Sequence, residues 1–222
     1  MGIEAAFPQV ALTISGVPIK DSVFNSWIIV TVITALAAIA YRHYRATEPK
    51  TWQLALEYSI EYVESLITGT IGRTLPQAVP YLATMLVYIG LSNILGLVPA
   101  MRSPTRDINT TAALSIVSLI STQYYGAVHR GLKRQALSLF EPVALMFPLN
   151  LISLLSRVLS MALRLFGNVI AGEIVGLTIF SLVPVLAPLV FYLLSMITGL
   201  LQALVFTVLT ITFIADAMKL DD

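Results

Sequence analysis

A short apolar stretch, SMALRLFGNVIAGE at residues 160–173, carries a positive charge at Arg164, an amide at Asn168 and a carboxylate at Glu173. Side chains of these types hold or pass ions, and an arginine inside a membrane costs several kcal/mol unless it is partnered. At about 100° per residue around a helix, Asn168 shares the face of Arg164, whereas Glu173 lies about 180° away. Glu173 therefore cannot neutralise Arg164 from the same helix. We predict that a carboxylate of another chain does so, with water as the alternative.

Three further polar residues complete the candidate set. Arg157 precedes Arg164 by two helical turns and lies on nearly the same face, although it could simply snorkel to the inner interface. Ser195 and Gln202 lie in the last apolar run, and both are neutral. The amides among the candidates could also serve only to bind helices together, and the carboxylate could be a structural acid.

The composition is that of a membrane protein. The chain has 222 residues, of which 57% are hydrophobic and 11% charged, against about 25% charged residues in ordinary soluble domains. We predict a single membrane domain over residues 1–222. The net charge of +1 predicts no nucleic-acid partner, and a chain with no cysteine and two histidines predicts no metal site. No catalytic residue and no cofactor is predicted.

The apolar runs predict an all-α integral membrane fold of about five to six helices. The predicted elements are spans at 23–41, 80–100 and 109–128, an amphipathic surface helix at 51–70, and two long helices at 143–182 and 189–218. The surface helix carries Glu57, Glu61 and Glu64 and would lie on lipid or on a partner chain. Basic clusters follow the first and third spans, so the N-terminus is predicted outside and the C-terminus in the cytoplasm.

The last two helices are too long for an upright crossing. Residues 149–182 contain no proline and would extend about 50 Å, whereas the hydrocarbon core is about 30 Å thick. Pro184 and Pro188 predict the turn between the two helices. We therefore predict a steeply tilted helical hairpin, a shape that suits packing against a large curved neighbour.

Five stretches resemble one known family, subunit a of F-type ATP synthases. They are SNILGLVP (92–99), PTRDINTTAAL (104–114), PLNLIS (148–153), LRLFGNVIAGE (163–173) and QALVFTVLTITFI (202–214). Together they span the chain from about residue 80 to the end, while the first 75 residues are similar only in layout. The resemblance implies a stator channel protein packed beside a rotating c-ring.

The resemblance implies a role for each candidate. Arg164 corresponds to the essential arginine of the family, Asn168 and Glu173 to polar residues of the outer half-channel, and Gln202 to the glutamine opposite the arginine. Ser195 stands where some members carry a titratable residue, which leaves Glu173 as the main ionisable group of the outer path. Ions would enter past Glu173, neutralise c-ring carboxylates and leave through an inner half-channel after the ring has turned.

The same resemblance implies the setting. Arg157 corresponds to a basic position of the family. The implied partners are the c-ring, subunit b of the peripheral stalk, the remainder of the FoF1 complex and the lipid bilayer. The ion would be H⁺, with Na⁺ as the alternative. The chain would have no catalytic site of its own and would lie in a bacterial inner membrane, rather than in a mitochondrial inner or thylakoid membrane.

Two other function classes compete with this interpretation. A secondary transporter or ion channel with a midplane Arg/Glu site would bind a small solute without a ring, but the two halves of the chain show no inverted repeat. An intramembrane hydrolase needs an HExxH helix, a serine in a GxSG-like context or paired aspartates, and the sequence contains none of these.

Overall fold

The computed structural model describes residues 10–14, 17–43, 51–72, 74–96, 101–137, 147–182 and 187–219. Its helices are α1 (Asp21–His43), α2 (Thr51–Ile71), α3 (Val79–Leu95), α4 (Ile108–Arg130), α5 (Leu132–Leu137), α6 (Phe147–Leu182) and α7 (Ala187–Lys219). The predicted all-α membrane fold is confirmed. Three small elements add to it: the antiparallel strands β1 (Val10–Ile14) and β2 (Val17–Lys20), and a 3-10 turn at Pro104–Arg106.

The helices differ in how well they suit a membrane crossing. By length and composition, the segments Asp21–Ile39 of α1, Phe147–Ser181 of α6 and Val190–Met218 of α7 could each cross a bilayer. Helix α3 is apolar but has only 17 residues, or about 25 Å at 1.5 Å per residue. The predicted span at 80–100 therefore ends at Leu95 among the described residues, and residues 97–100 lie outside them.

Helix α4 contains the predicted span at 109–128, but it is more polar than the other long helices. Hydroxyl side chains recur along one of its faces at Thr111, Ser115, Ser118 and Thr122, and all four residues are buried. The Oγ of Ser118 lies 2.8 Å from Oγ1 of Thr210 on α7. The polar face of α4 therefore points into the protein, where hydrogen bonds satisfy its hydroxyl groups.

Helix α7 lies at the centre of the molecule. A buried cluster joins it to α2 and α3 through residues such as Val63, Ile67, Leu82 and Ile211, and a second cluster joins it to α3 and α6. The acidic side chains of α2 are exposed on the other side of that helix. Val63 and Ile67 of α2 are thus covered by the protein itself, whereas the acidic side chains and apolar residues such as Tyr58 and Ile60 are left for lipid or a partner.

Helices α6 and α7 are long enough to require tilting. Their 36 and 33 residues correspond to about 54 Å and 50 Å. The first residues of the predicted helix at 143–182, before Phe147, and the predicted turn at Pro184 lie outside the described residues. Leucine and isoleucine side chains on both helices are exposed, which leaves a broad apolar surface for lipid or another chain.

Candidate functional site

Arg164 lies at the midpoint of α6, on its exposed face. Its Nη2 donates a long hydrogen bond, 3.4 Å, to Oγ of Ser160 on the preceding turn. No carboxylate pairs with it in the part of the chain that the structure describes. Leu159 and Leu163 beside it are 58% and 45% exposed, so the guanidinium stands on an apolar outer surface. A cation in this position needs an anionic partner or water, and no carboxylate of the described residues is that partner.

Two glycines of α6 set the alignment of α6 against α7. A Cβ at Gly172 would lie 2.2 Å from Oγ of Ser195, and a Cβ at Gly176 would lie 3.1 Å from the ring of Tyr192. These contacts show that the helices run antiparallel in close contact, because only glycine leaves room for the facing side chains. Continued toward the middle of α6, the same alignment brings Gln202 level with Leu165.

This alignment gives the positions of the two amide candidates, Asn168 and Gln202, relative to Arg164. Leu165 of α6 and Ala203 of α7 belong to one buried cluster. Gln202 directly precedes Ala203, and Arg164 directly precedes Leu165, so Gln202 and Arg164 lie at about the same height along the two helices. Asn168 lies one turn from Arg164, and both amide residues are half-buried. Neither amide makes a side-chain hydrogen bond to the rest of the described chain, so both remain able to bind water or an ion.

Arg157 lies seven residues, or about 10 Å, from Arg164 along α6. Its Cζ is 4.8 Å from the ring centroid of Phe213 on α7, a distance typical of a cation–π contact. It lines a cavity of about 10 Å³ together with Ser115, Ser118 and other residues of α4 and α6. The wall of this small cavity is apolar, so the cavity offers no hydrogen bonds to a water molecule.

Glu173 faces away from Arg164 and toward another cation. Its Oε2 lies 3.6 Å from Nη1 of Arg106 in the 3-10 turn, and Nη2 of Arg106 also pairs with Asp21 at the start of α1. The side chain of Arg106 is fully buried, whereas those of Asp21 and Glu173 are 24% and 22% exposed. One buried cation is thus shared by two carboxylates from different helices.

A cavity of about 40 Å³ opens beside Glu173. Its polar wall is formed by residues of α3, α6 and α7 and of the segment before the 3-10 turn: Asn93, Ser103, Glu173, Tyr192 and Ser195. Such a volume has room for about two or three water molecules, and the polar wall offers them hydrogen bonds. The site therefore combines a titratable carboxylate with a small cavity that has room for water.

Asn93 holds the wall of this cavity together. Its Nδ2 donates to the backbone oxygen of Gly199 on α7 at 2.7 Å, and its Oδ1 accepts from Oγ1 of Thr105 at 3.1 Å. Ser103 and Thr105 share a further hydrogen bond of 2.6 Å. The side chain of Asn93 thereby fixes the distance between α7 and the 3-10 turn that carries Arg106.

Asp107 forms a second polar connection next to this site. Its carboxylate caps α4 by accepting from the backbone N–H of Asn109, and it also binds the Ser22 hydroxyl at 2.9 Å and the Lys20 ammonium at 3.2 Å. Burial alone would raise the pKa of Asp107, but these hydrogen bonds outweigh burial and lower its pKa below the usual 3.8. The start of α1 is thus anchored to the start of α4.

Sequence reasoning did not single out four residues of this site: Asp21, Asn93, Arg106 and Tyr192. The sequence gives a weak signal for one of them, because Asn93 is an amide inside an apolar span. Asp21 and Arg106 lie at the ends of elements, where charged residues are ordinary, and only their contact gives them a role.

The family described as ATP synthase A chain matches residues 23–215. The chain belongs to this family. It is 36% identical over 200 residues to ATP synthase subunit a of Moorella thermoacetica, covering 90% of this chain and 91% of that protein. It is 30% identical over 203 residues to ATP synthase subunit a 1 of Crocosphaera subtropica, with coverage of 91% and 88%. For subunit a of Legionella pneumophila the identity is 29% over 219 residues, covering 99% and 95%.

Family membership, with the apolar helices, establishes the general role. The chain is a membrane protein and a member of the ATP synthase complex, and it belongs to the non-catalytic membrane sector Fo rather than to the catalytic sector. The family supports a general role as the ion-channel stator of that sector.

Proposed function

We propose that this chain is the Fo stator subunit that passes protons to and from c-ring carboxylates through two offset half-channels. Na⁺ is the alternative ion. Protons enter at the end of the molecule that carries Glu173, load a ring carboxylate and leave through an inner half-channel after rotation. Each proton gains about 2.3 kcal/mol per 100 mV of membrane potential, and rotation carries this energy to the catalytic sector.

The observation that carries this proposal is the exposed guanidinium of Arg164. It lies at the midpoint of α6 on an apolar surface and has no acidic partner among the described residues. A ring carboxylate that passes by would supply the missing charge, and the positive charge of Arg164 would favour release of its proton. The same charge would block a direct leak between the half-channels.

The outer half-channel is supported by the cavity beside Glu173. Along the helix axis, Asn168 is about 7 Å from Glu173 and Arg164 is about 6 Å further on. Ser195 contributes a hydroxyl to the cavity wall, and Gln202 lies level with the region of Arg164. The path would lead from Glu173 and its cavity between α6 and α7 to the amides near Arg164, on the ring-facing side of α6.

The inner half-channel is proposed for the opposite half of α6. Arg157 is the charged residue of this half, and the buried residues Ser115 and Ser118 of α4 lie beside it. The fixed positive charge of Arg157 would attract anions and repel protons, so a released proton would not remain in this half-channel.

The orientation follows from charge. The Glu173 end lies outside with the N-terminus, and the basic residues after α1 and α4 lie in the cytoplasm of a bacterial cell with the C-terminus. The exposed acidic face of α2 is available to subunit b of the peripheral stalk. The tilted pair α6 and α7 presents its apolar surface to the c-ring.

The rival function as a transporter with a midplane Arg/Glu site loses its central feature. Its substrate site would need Arg164 and Glu173 to converge, but Glu173 faces Arg106. The two charges that would form the site lie on different sides of the same helix.

Replacement of Arg164 by alanine tests the proposal. We expect Arg164→Ala to abolish ATP synthesis driven by an imposed proton gradient in membrane vesicles, while the complex still assembles. Arg134→Ala, which removes an exposed arginine at a distance from the site, serves as the control. ATP synthesis at the wild-type rate in Arg164→Ala would refute the proposal. Repeating the assay with and without Na⁺ assigns the ion.

A further inference from the structure

Three charged side chains from three separate elements meet at the outer end of the molecule. Arg106 of the 3-10 turn contacts Asp21 of α1 through Nη2 and Glu173 of α6 through Nη1. We propose that Asp21 is a positioning residue of the outer half-channel, which shares Arg106 with Glu173 and thereby leaves Glu173 able to take up and release a proton. This inference rests on the proposed function of Glu173 as the carboxylate of the outer path.

The geometry divides the guanidinium between two acids. The contact of Arg106 with Asp21 is the closer one, and its contact with Glu173 spans 3.6 Å. A guanidinium presents its N–H groups in a rigid planar fork, so the two carboxylates bind different nitrogens rather than compete for one. Asp21 therefore fixes the position of the cation, and Glu173 meets it at longer range.

Charge balance gives Asp21 its effect on Glu173. An unshared cation within about 4–6 Å strongly favours the ionised form of a carboxylate, and burial of Arg106 removes the water that would screen it. Glu173 alone with Arg106 would be a locked ion pair and a poor proton carrier. With Asp21 present, one positive charge serves two negative ones, so the group keeps one negative charge that an arriving proton can neutralise.

The other charges around Glu173 are few. Arg102, just before the 3-10 turn, is the second cation that acts on it, and its backbone oxygen is held by Nδ2 of Asn25 at 2.7 Å. Helix α7 contributes Tyr192 to the cavity, and α3 contributes the uncharged Asn93. Asp107, which caps α4, forms an ion pair with Lys20 instead. Among these neighbours, Asp21 is the one that contacts Arg106, through Nη2 rather than the Nη1 that faces Glu173.

The test compares the pH profiles of two charge-removing variants in the assembled complex. Passive proton flow is measured across membrane vesicles stripped of the catalytic sector, as the external pH is varied. Asp21→Asn removes the carboxylate that contacts Arg106 most closely, so the positive charge of Arg106 acts more strongly on Glu173 and the pH of half-maximal flow should fall by roughly one unit or more. Arg106→Gln removes the cation, so the midpoint should rise by a similar amount.

Two further variants separate this effect from a structural one. The double variant Asp21→Asn with Arg106→Gln should return the midpoint toward the wild-type value, because the two removed charges are opposite. Lys20→Gln removes a neighbouring cation that pairs with Asp107 instead, and its midpoint should stay at the wild-type pH. A merely structural role would lower the flow at every pH without moving any midpoint, and that result would overturn the inference.

The remaining outcomes are also decisive. If Arg106→Gln fails to assemble, Arg106→Lys should restore assembly. In that case Asp21→Asn alone decides the test. A pH of half-maximal flow equal to that of the wild type would overturn the inference. Arg164→Ala in the same membranes reports on the proposed function separately. Loss of ATP synthesis in Arg164→Ala with unmoved midpoints would refute the role of Asp21 and keep the function.

Discussion

The carboxylate of Glu173 lies 3.6 Å from the guanidinium of Arg106, so the long helix α6 and the turn before α4 share one ion pair. This contact separates the charges of α6 by function. Glu173 is engaged inside the protein, next to a cavity, whereas Arg164 stands on the outer surface with no acidic partner in the described part of the chain. The same helix can therefore serve an ion path on one side and a moving partner on the other.

Replacement of Glu173 by glutamine should slow passive proton flow through the membrane sector. Glutamine keeps the size of the side chain but cannot carry a proton, and positioned acid–base groups contribute roughly 10²–10⁴-fold to proton transfer. Because water in the cavity can share the work, we expect a loss of about tenfold or more. Glu57→Gln, on the exposed face of α2, is the matched control and should conduct normally. Unchanged flow in Glu173→Gln would move the outer path elsewhere.

The sequence allowed prediction of the features that depend on local geometry. The rotation between Arg164 and Glu173 follows from helical periodicity alone, and the structure places the first on the exposed face and the second against the 3-10 turn. The overlong last helices followed from counting proline-free residues. Both arguments use properties of a single helix, so they need no knowledge of its neighbours.

The parts that depend on contacts between distant segments were not predictable in this way. Arg106 and Asp21 are 85 positions apart in the chain, and nothing in either local sequence indicates that they pair. The hydroxyl face of α4 was counted within a span, but its direction depends on where α7 lies. The strands β1 and β2 also went unpredicted, since two very short strands carry little periodic signal.

Replacement of Asn93 by leucine should destabilise the protein. Leucine has a similar size but removes the hydrogen bonds to the Gly199 carbonyl and the Thr105 hydroxyl at a buried site, while Thr105 keeps its hydrogen bond to Ser103. Each lost hydrogen bond contributes about 0.5–1.5 kcal/mol, so the free energy of unfolding should fall by roughly 1–3 kcal/mol. Ser65→Ala is the control, because that exposed hydroxyl binds the Tyr62 carbonyl of its own helix. Heat-induced loss of helicity in detergent measures both, and equal midpoints would contradict the bridging role of Asn93.

Replacement of Gly172 by alanine should separate α6 from α7 at the cavity. The added Cβ would lie 2.2 Å from Oγ and 3.0 Å from Cβ of Ser195, so a rotation of the hydroxyl alone cannot relieve the clash. We expect both lower thermal stability and slower passive proton flow. Gly69→Ala is the matched control, because a Cβ there meets nothing within 4 Å.

A compensating change tests the cause. Ser195→Gly in the Gly172→Ala background removes the clashing atoms and should restore thermal stability. If Gly172→Ala is as stable and as conductive as the wild type, the close contact of the two helices at this level is not required.

Replacement of Asp107 by asparagine should reveal a pH-dependent contribution to stability. Asparagine is also a good helix cap, so this change removes the charge and keeps the hydrogen bond to Asn109. The pKa of Asp107 is lowered in the folded protein by its hydrogen bonds to Asn109, Ser22 and Lys20, in spite of burial. A lowered pKa contributes stability that is present above the unfolded value of 3.8 and is lost as the pH falls through the folded value.

The measurement is the difference in midpoint of thermal unfolding between wild type and Asp107→Asn at several pH values. Above pH 3.8 the wild type should be the more stable by a constant amount, and the difference should shrink as the pH falls further. Other carboxylates titrate in both proteins, so their effects cancel in the difference. Asp216→Asn, which removes an exposed aspartate near the end of α7, is the control for the loss of one carboxylate. A gap for Asp107→Asn that stays constant as the protein is acidified would show that its charge does not anchor α1 to α4.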